Sequence, residues 1–309
     1  MKIGFGVDLG GTTVKIAAFE KTGNMLSKWE IPTVIANNGA RILPDIADSV
    51  LGYCKEKGIA KDEVIGLGIG VPGAVDENGI VASCDNLGWG RSDVIRELSS
   101  LTGMPVKVGN DANMAALGEA WKGSGGDNMV LVTLGTGVGG GIILNGKPLT
   151  GKTGGAGEIG HMVLNRNETR PCNCGKYGCV EQYCSATGIV RMATDYLAST
   201  VDASSLRQLE KITAKAVFDT AADGDAVAQT VLEQVYAYMG EFSANICIVL
   251  NPQQVVIGGG VSKAGEPLLA GIRKNFHKYV YHPNGNVEFK LAALGNDAGV
   301  YGAYKLILE

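Results

Sequence analysis

Apolar positions at the start of the chain come in short runs broken by glycine. Ile3 to Asp8 is rich in β-formers, Gly10-Gly11 interrupts it, Val14 to Phe19 resumes, and Thr22-Gly23-Asn24 precedes a third run, Leu26 to Ile31. Such a pattern predicts an antiparallel meander. Ile42, Ile46, Val50 and Tyr53 then recur at spacings of four, four and three, the signature of an amphipathic helix. Val64 to Val71 reads as a buried strand closed by Pro72-Gly73. Val106 to Val108 reads as another, running into Gly109-Asn110-Asp111 and an alanine-rich helix through Trp121. The pattern restarts at Met129: a strand to Leu134, a Gly135-Thr136-Gly137 turn, a strand from Gly141 to Leu144, and the hairpin signal Asn145-Gly146. This is a weak internal repeat of strand, Gly/Thr-rich turn, strand and hairpin, and it predicts two domains of similar architecture. Further on, Val227, Val231, Val235, Tyr238, Phe242, Ile246 and Val249 predict a long buried helix ending at Asn251-Pro252. Val255 to Ile257 predicts a strand with the glycine-rich exit Gly258-Gly259-Gly260, a helix is expected to begin near Ser262, and a last one spans Asp297 to Leu308.

Length agrees with two domains, since 309 residues is about twice the usual domain size. No low-complexity linker separates the halves. The expected division is residues 1–115 with the C-terminal helix at about 297–309, against residues 116–296. With 45% apolar and 19% charged residues the chain is an ordinary globular one, and a net charge of −4 gives nucleic acid no general attraction. Glycine is the outlier at 46 residues without a three-residue period, so collagen is excluded and the glycines must serve turns and close backbone approaches. No uninterrupted apolar stretch reaches the roughly 18 residues of a spanning helix. Asp8 falls where a signal peptide would need its apolar core, so a cytosolic protein is expected. Seven cysteines without an export signal argue against a disulfide framework.

Three features carry chemistry. Asp8-Leu9-Gly10-Gly11-Thr12-Thr13 and Leu134-Gly135-Thr136-Gly137-Val138-Gly139-Gly140-Gly141 each offer backbone N–H groups and hydroxyls to an anion such as a phosphate. Either alone is equally readable as a tight hairpin. Neither is a Walker A loop, and the strand after Gly140 excludes the dinucleotide fingerprint. Asp111, between strand and helix, reads both as a helix cap and as a carboxylate placed to take a proton from a substrate hydroxyl. The sharpest signal is His161 followed by Cys172-x-Cys174-Gly175-x-x-Gly178-Cys179, three thiolates and an imidazole suited to a tetrahedral structural zinc. Such a clip would orient His161 and leave its second ring nitrogen free. Cys54, Cys84, Cys184 and Cys247 read as core or surface thiols. Asn86, Asn110, Asp111, Glu158 and Glu181 form an acceptor-rich set suited to sugar hydroxyls, each of them also readable as an ordinary solvated side chain.

Together, Asp8-Leu9-Gly10-Gly11-Thr12, Asn110-Asp111-Ala112-Asn113, Leu134 to His161, Cys172 to Glu181 and Gly258-Gly259-Gly260-Val261-Ser262 resemble the ROK family of sugar kinases, and within it the bacterial glucokinases. The resemblance implies an α/β, actin/hexokinase-like ATPase fold, two α/β domains around a central cleft holding ATP and sugar. It assigns Gly10, Gly11, Thr12 and Thr13, with Gly135, Thr136 and Gly137, to the ATP phosphates, and Gly258, Gly259 and Gly260 to the adenosine. Asp8 reads both as a water-mediated Mg²⁺ partner and as a strand-end turn former. Gly73, Asn86, Asn110, Asp111, Glu158, His161 and Glu181 become sugar ligands, and His161, Cys172, Cys174 and Cys179 become zinc ligands. Asp111 would be the base for transfer of the γ-phosphoryl group of Mg-ATP to the 6-hydroxyl of a hexose. Asp85-Asn86-Leu87-Gly88-Trp89 resembles the sugar-side loop of the glucokinases and points to glucose.

Kinases for N-acetylmannosamine, N-acetylglucosamine, fructose or allose share most of these motifs, and polyphosphate is an alternative donor. A sugar-responsive ROK repressor is a rival of another class. The phosphate turn at Asp8 leaves no room before it for that class's helix-turn-helix, and the charge opposes DNA binding. A homodimer or homotetramer is expected, with no nucleic-acid or membrane partner.

Overall fold

The protein is described here from a computed structural model covering residues 2–76 and 78–309; Met1 and Glu77 lie outside the described residues. The chain packs as two compact units. The first comprises Met1–Asp127, Gly141–Gly157 and Ala293–Glu309, and the second Asn128–Gly140 and Glu158–Ala292. The division expected from sequence broke the chain inside the alanine-rich helix, Asp111–Lys122, whereas the whole of that helix packs in the first unit. Its Gly118 and the Met114 carbonyl explain the difference, because they abut the C-terminal helix, Ala298–Leu308. Gly141–Gly157 also belongs to the first unit, an assignment that strand periodicity could not supply.

In the first unit β1 (Ile3–Leu9), β2 (Thr13–Glu20) and β3 (Met25–Pro32) form the expected meander. β4 (Val64–Val71) pairs parallel with β1. The short strands β5 (Ile80–Val81) and β6 (Ser92–Asp93) pair with each other, and β7 (Val106–Asn110) pairs parallel with β4. The sheet order is β3-β2-β1-β4-β7. The helix Ile42–Lys57 buries Ile42, Ile46 and Val50 in the core and stops at Gly58, whose left-handed φ of 66° a glycine tolerates.

β8 (Met129–Leu134), β9 (Val138–Leu144), β10 (Lys147–Pro148), β11 (Gln254–Gly258) and β12 (Glu288–Leu291) follow, in the sheet order β10-β9-β8-β11-β12. Strand for strand this is the order of the first sheet, and β8, β11 and β12 are parallel as β1, β4 and β7 are. The internal repeat is therefore a repeat of topology. Asn145 and Gly146, both at positive φ, make the predicted β9–β10 hairpin. β9 begins at Val138, three residues before the expected start.

The long helix runs from Ala226 to Leu250. Asp225 caps it by accepting from the Ala228 N–H, and Asn251 ends it in the left-handed conformation ahead of Pro252. No α-helix begins at Ser262. Gly260–Ala264 is a single 3₁₀ turn closed by Gly265 at positive φ, and the α-helix starts at Glu266 and runs to Tyr279. Among the described residues no helix is long and apolar enough to cross a membrane.

The glycine excess has a structural destination in the first unit. The C-terminal helix lies so close to β1 and β4 that a Cβ at Gly6 would overlap the Val300 carbonyl, and one at Gly68 the Ala303 carbonyl. Gly302 meets the Met114 carbonyl of helix Asp111–Lys122 in the same way. Phe19 and Tyr304 stack at 4.7 Å beside this seam.

Candidate functional site

Parallel pairing brings three chemically active segments of the first unit to one sheet edge. Asp8 pairs with Gly70 and Val71 with Asn110, so the ends of β1, β4 and β7 deliver the Gly10–Thr13 turn, Pro72-Gly73 and Asn110-Asp111 side by side. The carboxyl edge of parallel strands is where open α/β sheets bind ligands. Asn110 Nδ2 donates to the Gly73 carbonyl at 3.0 Å while its Oδ1 caps the helix through the Asn113 N–H at 3.1 Å. Asp111 is the first residue of that helix, and its Oδ1 accepts its neighbour Ala112 N–H at 2.8 Å. The helix N-terminus favours the ionised carboxylate there. Asn110 thus serves as the cap.

Asn86 is exposed on a 3₁₀ turn, Asp85–Leu87, whose flanks are pinned by buried Leu87 and Trp89 and by the Cys84 N–H to Trp89 carbonyl bond of 2.9 Å. The Gly10–Thr13 turn closes through the Gly10 N–H to Thr13 carbonyl bond of 3.0 Å, leaving Gly11 and Thr12 exposed. Burial pushes the Asp8 carboxyl up, against the opposing pull of Lys15, whose Nζ lies 3.6 Å away.

In the second unit the sharpest prediction from sequence becomes a compact cluster. One ligand atom from each of His161, Cys172, Cys174 and Cys179 lies within 4.8 Å of all the others. Cys174 Sγ and Cys179 Sγ are 3.7 Å apart, and Cys172 Sγ is 3.8 Å from His161 Nδ1. A tetrahedral zinc with bonds of about 2.0–2.3 Å would set neighbouring ligand atoms about 3.5–3.8 Å apart, whereas a disulfide would need about 2.05 Å. The residues therefore fit a tetrahedral cation. Burial, reinforced by the two neighbouring thiols, pushes Cys179 up to about 12, so three adjacent thiolates call for a positive charge among them. With Nδ1 turned into the cluster, His161 Nε2 points to Glu158, whose Oε2 is 4.0 Å away and largely exposed. The remaining cysteines, Cys54, Cys84, Cys184 and Cys247, are buried.

An ion network around the shielded Glu168 carboxyl braces this loop. Glu168 accepts from the Arg170 N–H and Nε at 3.0 and 3.2 Å and from the Tyr183 hydroxyl at 2.7 Å, and pairs with Arg191 at 3.4 Å. Its burial would raise its pKa, but these donors outweigh burial and bring it to about 2. Sequence reading missed Glu168, because its partners arrive from Tyr183 and Arg191, well along the chain.

The Gly135–Gly137 turn closes through the Gly135 N–H to Gly137 carbonyl bond of 3.0 Å. Glu181, expected at the sugar, has Oε2 on the Val138 N–H at 3.0 Å and Oε1 3.6 Å from Cys172 Sγ. Gly259, at φ 82°, lies where a Cβ would crowd the Leu134 carbonyl at 2.5 Å, so the exit of β11 abuts the end of β8. Beside Gly260 opens a cavity of about 360 Å³ lined by Ala186, Thr213, Phe218, Asp219, Val261 and Lys263 among others. Thr213, Phe218 and Lys263 were not foreseen. Thr213 caps the helix Ala214–Ala222 through the Ala216 N–H, and a Thr ahead of an apolar helical run was the available signal.

The ROK family model matches residues 4–309. The glucokinase of Halalkalibacterium halodurans is 44% identical over 311 residues, an alignment spanning 98% of this chain and 94% of that protein. Among solved structures, a ROK family glucokinase from Streptomyces griseus in complex with glucose and AMPPNP is similar with a TM-score of 0.75 at 32% identity, 98% of each chain being covered. A ROK family transcriptional regulator, a homolog of the E. coli MLC protein, is similar with a TM-score of 0.86 at 27% identity over 99% of this chain and 78% of that one. The doubled sheet topology and the match along nearly the whole sequence place the chain in the ROK family, with its actin/hexokinase-like fold.

Proposed function

We propose that the protein is a glucokinase, transferring the γ-phosphoryl group of ATP to the 6-hydroxyl of glucose. The observation that carries the reading is Asp111: a carboxylate at a helix N-terminus on the carboxyl edge of a parallel sheet, its capping role taken by Asn110. The full-length likeness to the Halalkalibacterium halodurans glucokinase supports the choice of sugar.

Asp111 accepts the proton of the sugar 6-hydroxyl as that oxygen attacks the γ-phosphorus, and the bond to the departing ADP oxygen breaks in line. Asn86, Asn110 and the Gly73 backbone hold sugar hydroxyls in the first unit. Glu158 and His161 Nε2 offer an acceptor and a ring nitrogen to sugar hydroxyls. The amides and hydroxyls of Gly10–Thr13 and Gly135–Gly137 bind phosphate oxygens. The cavity beside Gly258–Gly260 takes the adenosine, its volume lying in the usual range for small ligands, about 300–1,000 Å³. Magnesium bound with the nucleotide would neutralise phosphate charge, and Asp8 would hold it through water. Zinc is the metal that three thiolates and an imidazole favour, and it would act structurally, since all four positions are filled by protein.

The test is ADP release measured by a coupled assay with ATP across glucose, fructose, allose, mannose and the N-acetylhexosamines. Glucose should give the highest kcat/KM. Preference for an N-acetylhexosamine would reassign the substrate. Sugar binding without turnover of any hexose would replace the kinase by a sensor.

A further inference from the structure

The chain leaving the metal-ligand cluster goes directly to the β8–β9 turn and grips it at both ends. At one end the Ala186 N–H donates to the Gly135 carbonyl at 2.8 Å, and at the other Glu181 Oε2 accepts the Val138 N–H at 3.0 Å. Glu181 lies two residues after Cys179, and its Oε1 approaches Cys172 Sγ at 3.6 Å. A single carboxylate therefore spans from a metal-ligating sulfur to an amide of the turn. The fit is tight. A Cβ on Gly137 would overlap Glu181 Oε2, whereas one on Gly135 would meet nothing within 4 Å. Gly137 makes room for the carboxylate, and Gly135 leaves its outer side open. Gly160 reinforces the arrangement, since a Cβ there would overlap the Val138 carbonyl, so the 3₁₀ turn carrying His161 rests on that same residue.

We propose that Glu181 is a positioning residue for nucleotide binding: it transmits the order of the His161–Cys172–Cys174–Cys179 cluster to the Gly135–Val138 turn, so that grip on a nucleoside triphosphate depends on the metal loop. The inference rests on the kinase reading and adds a route from metal to nucleotide to the expected one from metal to sugar. With Cys172 Sγ fixed, the room open to Glu181 is fixed, and its Oε2 stays on the Val138 amide. When the loop loosens, the carboxylate follows it and the turn loses its anchor at Val138.

The experiment measures AMPPNP binding by calorimetry on the full-length, zinc-loaded protein with no sugar present, together with zinc content. Glu181→Ala should weaken AMPPNP about tenfold, the effect of one lost anchoring hydrogen bond. Glu181→Gln keeps an acceptor for the Val138 N–H and should stay within about threefold of the parent protein. Chelating the metal from the parent should match the loss in Glu181→Ala, and chelating it from Glu181→Ala should add nothing, as expected of two changes acting through one contact. Faster hydrogen exchange at the Val138 amide on chelation is the second readout. Unchanged AMPPNP affinity in Glu181→Ala, or additive losses from substitution and chelation, would overturn the proposal. Failure of the parent protein to bind AMPPNP would instead remove the kinase reading.

Discussion

Asp111 and Asn110 show how adjacent side chains divide two tasks that the sequence offered to either. Asn110 takes the helix cap and the Gly73 carbonyl, and Asp111 stands beside it as the first residue of the helix. Replacing Asp111 by Asn keeps size and helix start while removing the proton acceptor. That variant should retain its melting temperature and lose roughly 10²- to 10⁴-fold in kcat, measured by coupled ADP release. Near-parental turnover would assign the base elsewhere. Glu168 gives a second expectation. Its carboxyl ordinarily titrates near 4.5 and is brought to about 2 in the folded protein, so its stabilising contribution is complete above pH 4.5 and is lost as pH falls from 4.5 towards 2. Glu168→Ala removes the acceptor shared by Arg170, Arg191 and the Tyr183 hydroxyl, and because both arginines keep other partners it should cost about 1–2 kcal/mol at neutral pH. Urea unfolding at pH 7 and pH 3 checks both points, since the gap between parent and variant should narrow at the lower pH.

At the scale of elements, glycine placement separates close approach from mere flexibility. Gly68 lies inside β4, where a Cβ would overlap the Ala303 carbonyl of the C-terminal helix, while Gly52 lies on the exposed side of helix Ile42–Lys57 with no atom within 4 Å of a Cβ. Gly68→Ala should destabilise by about 1–3 kcal/mol or more, since the helix must lift from the sheet. Gly52→Ala should stabilise by about 0.5–1 kcal/mol. Equal effects in denaturant unfolding would contradict the packing account. The sequence marks β4 as a buried strand, but its Gly66, Gly68 and Gly70 do not say what covers it. The covering helix comes from the far end of the chain, and no local pattern records which strand it meets. The helix expected at Ser262 fails for a related reason: apolar spacing resumes there, but Gly265 at positive φ postpones the α-helix to Glu266.

Over the whole molecule, what was legible followed from local spacing and repetition. The cysteine cluster was readable because its ligands are close in sequence, and the two Gly/Thr turns because their strands recur in the same order in both sheets. What escaped was long-range: Glu168 with Arg191, the Thr213–Lys263 cavity, the hold of Glu181 on Val138, and the assignment of Gly141–Gly157 to the first unit. Each depends on which elements become neighbours after folding.

That the C-terminal helix roofs β1 and β4 also sets a timetable for the newborn polypeptide. Everything from β8 to β12 is synthesised before Ala298–Leu308 exists, so the opening sheet waits with its glycine-lined face bare. At elongation rates of about 5–20 residues per second, the roughly 200 residues between β7 and the end of that helix correspond to a delay of about 10–40 s. The half of the protein that is made first is therefore the half that is finished last.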